Sequence, residues 1–220
     1  MARAQELGRR ENVSCSSAVV GIVDYQAGNI RSITSALEHL GARAIRIRAP
    51  GDGNDATHLL LPGVGAFGFC AGRLRASGLL AYLEEWTLGR KRPTLGICVG
   101  MQLLADTSDE MGFQRGLGFC GGEVRRLTST DPSVRIPHVG WNAAVFCDDF
   151  GEFKSGESAD FYFDHTYGYR TPISGSVLAT CHHGETFCAA LRRDNLVAAQ
   201  FHPEKSQAAG MRFLRSFMAM

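Results

Sequence analysis

The sequence predicts one α/β domain: a mainly parallel, doubly wound sheet with helices on both faces, plus antiparallel strands added to it. Two observations predict this class. Over the first half, short apolar, β-branched runs alternate with segments of helical periodicity, the pattern of strands buried on both faces and joined by crossover helices. Over the second half, six strand-like runs follow one another, separated by Gly, Pro and Asp turns, which implies antiparallel or mixed strands. The 220 residues are 45% hydrophobic, enough for a full core without disulfide or metal staples.

The elements follow in order. AVVGIVD (18–24) reads as a strand buried on both faces. After Gly28-Asn29, the spacing of Ile30, Ile33, Leu37 and Leu40 predicts a helix closed by Gly41. ARAIRIR (42–48) and THLLLPG (57–63) read as strands. GLLAYLEEWTL (78–88) reads as a helix ended by Gly89, with Pro93 beyond. TLGIC (94–98) is again a strand, and MQLLADTS (101–108) begins a helix. Strands are expected near 123–128, 142–147, 160–163, 176–181, 186–192 and 196–201. Met211, Phe213, Leu214 and Phe217 mark a closing helix over roughly 205–218. Residues 1–17 are polar, carry Arg3, Arg9 and Arg10 and lack an apolar stretch, so they read as a flexible extension and not a secretory signal.

Charge and cysteine usage exclude several classes. Lys plus Arg number 23 and Asp plus Glu 22, giving a net +1, so no basic excess points to nucleic acid. No apolar run approaches the ~20 residues of a membrane span. The seven cysteines are odd in number and scattered without C-x-x-C, which favours a reducing, cytoplasmic compartment over a disulfide framework. His182, His183 and Cys188 cluster in sequence but fall short of a tetrahedral ligand set, so no metal and no cofactor is expected.

Gly96-Ile97-Cys98-Val99-Gly100 is a G-x-C-x-G segment that follows a strand and opens a helix. A sharp strand-to-helix turn needs small neighbours, pushes the sulfur outward and places it at a helix N-terminus that favours the thiolate. A buried cysteine on a tight turn would leave the same trace. A nucleophilic cysteine needs a base and a group to orient that base. Gln200-Phe201-His202-Pro203-Glu204 offers both, because residues two apart in an extended segment project to one side; His202 could equally be a surface residue at a strand end. The Val99 N–H and the loop Pro62-Gly63-Val64-Gly65 are candidate oxyanion donors at the rim where parallel strands end, although most Pro-Gly pairs are plain turns.

Together these motifs resemble the class I (triad) glutamine amidotransferases, and within them the glutaminase subunits of imidazole glycerol phosphate synthases. The matching stretches are DYQAGNIRS (24–32), LPGVGAFG (61–68), LGICVGMQLL (95–104), GLGFCGGEV (116–124), PHVGWN (137–142), FYFDHTYGY (161–169) and QFHPEKSQ (200–207), in the family's order. The resemblance implies Cys98, His202 and Glu204 as catalytic triad. It implies Val99 and Gly65 as backbone oxyanion donors, and glutamine contacts from Gly63, Gln102, Thr166 and Tyr167. It also sets Asn29, Trp141 and Lys205 at or near a partner-facing side, where a helix cap, a core indole and a solvated charge are the plainer readings. Departures from the family pattern are Val99 for leucine, Gln26-Ala27 for a small pair, Asp164 for an apolar residue and Ala198 for glycine.

The implied activity is hydrolysis of glutamine to glutamate and ammonia, with the ammonia passed to a (β/α)₈-barrel cyclase acting in trans as the second half of a heterodimer. Neither nucleic acid nor membrane is an implied partner. Three alternatives stand at this level: a paralogous subunit feeding ammonia to a sugar-amidation synthase, a stand-alone γ-glutamyl peptidase, and a regulatory or scaffolding protein that keeps the fold without turnover, against which the intact Cys98, His202 and Glu204 count.

Overall fold

A computed structural model describes residues 18–171, 173 and 175–220; the extension expected at residues 1–17 lies outside them. The parallel part of the sheet comprises β1 (Val19–Val23), β2 (Arg43–Ile47), β3 (His58–Leu61), β4 (Thr94–Ile97) and β13 (Leu196–Ala199), side by side in the order β2-β1-β3-β4-β13. All four contacts along this path are parallel. Strands β3, β4 and β13 are buried at every position, which is why they read as nearly continuous apolar runs, with only His58 and Thr94 polar at the starts of β3 and β4.

Beyond β13 the sheet turns antiparallel. β12 (Glu185–Arg193) pairs with β13, then β10 (Tyr167–Arg170) with β12 and β7 (Glu123–Arg126) with β10. The short β5 (Thr107–Ser108), parallel to β7, and β6 (Gln114–Arg115), antiparallel to β5, finish that edge. A branch leaves β12 through β11 (Val177–His183) to β8 (His138–Phe146) and β9 (Ser158–His165). β8 and β9 alternate buried and open positions, as strands with one solvated face do.

The helices are α1 (Ile30–His39), α2 (Phe67–Ala76), α3 (Leu80–Glu84, continued as a wider turn over Glu85–Gly89), α4 (Val99–Gln102) and α5 (Gln207–Met218). Two depart from expectation. α2 has no capping side chain in the preceding residue and carries two internal glycines, so it left no sequence signal. It forms because Phe67, Cys70, Ala71 and Leu74 bury one stripe, and because the distant Glu110 carboxylate accepts the Phe67 N–H at 2.7 Å. The helix expected to run from Met101 to Ser108 stops at Gln102. The carbonyls of Leu103, Leu104 and Ala105, which would continue it, accept instead from Leu117, Cys120 and Gly118. The strand expected from 142 begins at His138, and β10 is additional.

Candidate active site

Cys98 sits between β4 and α4 with φ 54° and ψ −113°, a left-handed backbone held by its surroundings. Those surroundings demand the flanking glycines. A Cβ on Gly96 would meet the Gly100 carbonyl at 2.9 Å, and one on Gly100 would meet the Leu61 carbonyl at 2.0 Å. The loop after β3 is wedged against the same turn, since a Cβ on Gly63 would lie 2.5 Å from the Gly100 nitrogen. Gly65 adopts φ 112°, open to glycine alone among common residues. Val99 is the first residue of α4, so its N–H is not spent within the helix.

Strand register brings the base alongside. Ala199 of β13 pairs with Ile97 of β4, and the Cys98 N–H donates to the Ala199 carbonyl at 2.8 Å. Three residues on, His202 Nδ1 and Glu204 Oε1 are 2.8 Å apart, with side chains only 4% and 1% exposed. The segment is not extended throughout, as the two-residue spacing suggested. His202 is extended, but Pro203–Lys205 form a 3₁₀ turn that swings the carboxylate back behind the imidazole. Burial opposes a charge on His202. Hydrogen bonding from Cys98 and Glu204, reinforced by their charges, outweighs it and pushes the imidazole up to about 10.

Cys98 and His202 line one cavity of about 280 Å³. Its wall also includes Gly65, Val99, Gln102, Thr166, Tyr167 and Lys205. Gln102 Nε2 donates to the Tyr167 carbonyl at 2.9 Å and to Gln200 Oε1 at 3.0 Å, which leaves its own carbonyl oxygen for a bound molecule. Four predicted residues stand outside the lining. Gly63 packs behind the elbow and Glu204 behind the imidazole. Asn29 caps α1 by accepting from Ser32 N, and Trp141 is half exposed on β8. Trp141 meets Tyr162 edge-on at 6.3 Å, and Lys205 Nζ lies 5.3 Å from that Tyr162 ring, so these side chains form one strip from the surface to the cavity mouth.

The sequence reading missed Glu110, Asp164 and Pro137, which also line the cavity. Glu110 had no local motif to mark it; only the spatial return of the 109–116 segment reveals its place. Among the departures, Ala198 is buried opposite Gly96 in the sheet, and Gln26 has a left-handed backbone beside Asp24. Asp24 itself is paired with Arg46 at 2.7 Å and Arg48 at 3.0 Å.

The family model for glutamine amidotransferase class-I matches residues 21–220. This chain belongs to that family. Within it, the chain is 42% identical over 208 residues to the imidazole glycerol phosphate synthase subunit HisH of Zymomonas mobilis, covering 92% of this chain and 96% of the relative. It is 40% identical over 207 residues to the chloroplastic imidazole glycerol phosphate synthase hisHF of Arabidopsis thaliana, covering 93% of this chain and 35% of that longer protein. A crystal structure of a glutamine amidotransferase superposes with TM-score 0.71 at 22% identity, covering 92% of this chain and 98% of the other, and shows the shared fold. As a class I amidotransferase, the chain has a mostly parallel sheet with helices and some antiparallel strands. Among the described residues no helix is long and apolar enough to cross a membrane, and no group of His, Cys, Asp and Glu is arranged to hold a metal ion.

Proposed function

We propose that this chain is the glutaminase subunit of an imidazole glycerol phosphate synthase in histidine biosynthesis. It hydrolyses glutamine with Cys98, His202 and Glu204 and hands ammonia to a (β/α)₈-barrel cyclase bound in trans. The observation that carries this reading is the single cavity in which a strained elbow cysteine and a buried, carboxylate-paired histidine meet. Relatives named as this synthase's HisH subunit, alike over nearly their whole length, support the choice of synthase. The unpaired cysteines fit a reducing cytoplasm.

The chemistry follows from the parts. A thiolate on Cys98 attacks the side-chain carbonyl carbon of glutamine, and the carbonyl oxygen becomes an oxyanion held by the N–H groups of Val99 and Gly65. Protonated His202 gives its proton to the departing nitrogen, so ammonia leaves and a glutamyl thioester remains. His202, now neutral, takes a proton from water as that water attacks the thioester, and glutamate is released. Glu204 holds the imidazole's orientation and balances its charge. Glu110, Asp164, Gln102, Thr166 and Tyr167 shape the rest of the cavity, and the two acidic residues give it a negative charge suited to the substrate's ammonium group. The strip of Trp141, Tyr162 and Lys205, with half-exposed Val64 and Val139, gives the cyclase an aromatic and apolar seat around the cavity mouth. Asn29 and Lys205 belong to the same docking side.

The test is glutamate release with and without the barrel cyclase and its nucleotide substrate. Turnover should rise at least about tenfold in the complex if docking adjusts the loop that carries the Gly65 donor. Equal rates with and without the cyclase would remove the docking step from the proposal.

A further inference from the structure

Gln200 is a glutamine with no exposed surface at all, placed at the end of β13 where strand register sets it beside Cys98. A buried carboxamide is costly unless its oxygen and nitrogen both find partners. Its orientation is normally ambiguous, because the two ends look alike. Here the surroundings decide it. The Tyr167 carbonyl can only accept, so the end of the Gln102 side chain that meets it at 2.9 Å is the amide nitrogen. That nitrogen's second hydrogen points to Gln200, at 3.0 Å, so Gln200 presents its oxygen there. Its own nitrogen is thereby turned toward Cys98 Sγ, 3.8 Å away.

The same carbonyl orients a second chain. His165 Nδ1 lies 2.9 Å from the Tyr167 carbonyl and must donate to it, so a neutral His165 accepts at Nε2 from His138 Nδ1 at 3.0 Å. His138 Nε2 in turn accepts from Asn142 Nδ2 at 3.1 Å. One acceptor, Tyr167 O, therefore polarises both directions and holds Gln102 in place from the antiparallel half of the sheet.

We infer that Gln200 is a further catalytic residue, an N–H donor to the Cys98 sulfur whose direction is set by the Gln102–Tyr167 relay. A thiolate accepts a hydrogen bond better than a thiol does, so a fixed donor at this distance favours the attacking form. It also limits where the sulfur can sit before it meets the substrate carbon. The role in turnover rests on the glutaminase reading above; the contact with the sulfur does not.

The experiment follows alkylation of Cys98 by iodoacetamide across pH, read by mass spectrometry of the peptide that contains it, in the full chain and in Gln200→Met and Gln200→Glu. Gln200→Met keeps the volume and loses both the donor to the sulfur and the acceptor for Gln102, whereas Gln200→Glu loses the donor and keeps that acceptor. Its alkylation profile should move to higher pH, with Cys98 modified about threefold more slowly below the midpoint. Gln200→Glu, which replaces the donor by oxygen, should move the profile further in the same direction. In the complex with the cyclase, Gln200→Met should lower kcat about tenfold with KM little changed. An alkylation profile of folded Gln200→Met that superimposes on the parent overturns the inference. If the profiles shift but the parent releases no glutamate with any partner, the donor assignment stands and the glutaminase reading falls.

Discussion

The parallel and antiparallel halves of this sheet are built on different physical terms. In the parallel half, β3, β4 and β13 are buried throughout and apolar except for His58 and Thr94 at their starts, and the Cys98 elbow and the loop after β3 hang from C-terminal ends on turns that leave no room for a Cβ. In the antiparallel half, β8 and β9 alternate faces, and buried polar side chains reach one another through hydrogen bonds: His138, His165 and, from its exposed side, Asn142. The first arrangement fixes atoms by sterics and tolerates almost no change. The second fixes them by oriented hydrogen bonds and remains sensitive to protonation. The reacting sulfur belongs to the first half, and the carbonyl that orients its neighbours belongs to the second.

The largest effect expected from the parallel half is chemical. Cys98→Ala should abolish glutamate release, in the complex as well as alone, while ammonia supplied from solution still supports the cyclase. Residual glutamine-dependent turnover above background would place the nucleophile elsewhere. Next, Glu204→Gln should cost about 10³-fold in kcat, since the imidazole loses the carboxylate that sets its tautomer and balances its charge. Circular dichroism should show the fold retained. A loss of less than about threefold would reduce Glu204 to a packing residue.

A smaller, purely steric effect separates the halves more cleanly. Gly100→Ala drives a methyl into the Leu61 carbonyl, 2.0 Å from the ideal Cβ, and should destabilise the chain by about 3 kcal/mol in urea unfolding. Gly140→Ala, on β8, has open space around its Cβ but a φ of 131°, so its cost is backbone strain alone. Equal unfolding midpoints for Gly100→Ala and the parent would show that the elbow is not the rigid feature described here.

The parallel half was also the more legible in sequence. Runs such as HLLL and TLGI announce buried strands, and the glycines of Gly96–Gly100 announce an elbow, because both constraints act between residues close in the chain. Pairing of His202 with Glu204 was legible for the same reason, though the 3₁₀ turn that achieves it was not. What escaped was set by distant contacts. α2 is capped by Glu110 from another segment, α4 is cut short by acceptance from 117–120, and Gln200 is aimed by Tyr167. The value of Glu110 and Gln200 lies in where the chain brings them, and no spacing rule records that.

His202 and the buried histidines of the antiparallel half should also titrate in opposite directions, and this is the subtlest test of the contrast; His58, at the start of β3, is pushed down by burial as they are. His202 is held up to about 10, above the ordinary 6.5, so its contribution to stability is complete below 6.5 and is lost as pH rises through about 10. His138 and His165 are the reverse. Burial and the proximity of other histidines push His138 down to about 3. Burial, partly offset by the Tyr167 carbonyl, pushes His165 down to about 4. The unfolded chain takes up protons on them near 6.5 while the folded chain refuses, so stability present above 6.5 drains away as pH falls toward 4 and 3. The ion pairs of Asp24 cannot mimic this. On Asp24, burial is outweighed by hydrogen bonds from Arg48 and Arg46, which put its loss below its ordinary 3.8. Urea midpoints measured between pH 7.5 and 5 should therefore fall in the parent. In His138→Leu they should start lower, because His165 and Asn142 each lose a partner, but fall less steeply, by about one proton in the linkage slope. A parallel decline in the two proteins would mean that His138 takes up its proton at the same pH folded as unfolded, and the one-way chain from Asn142 to the Tyr167 carbonyl would have to be redrawn.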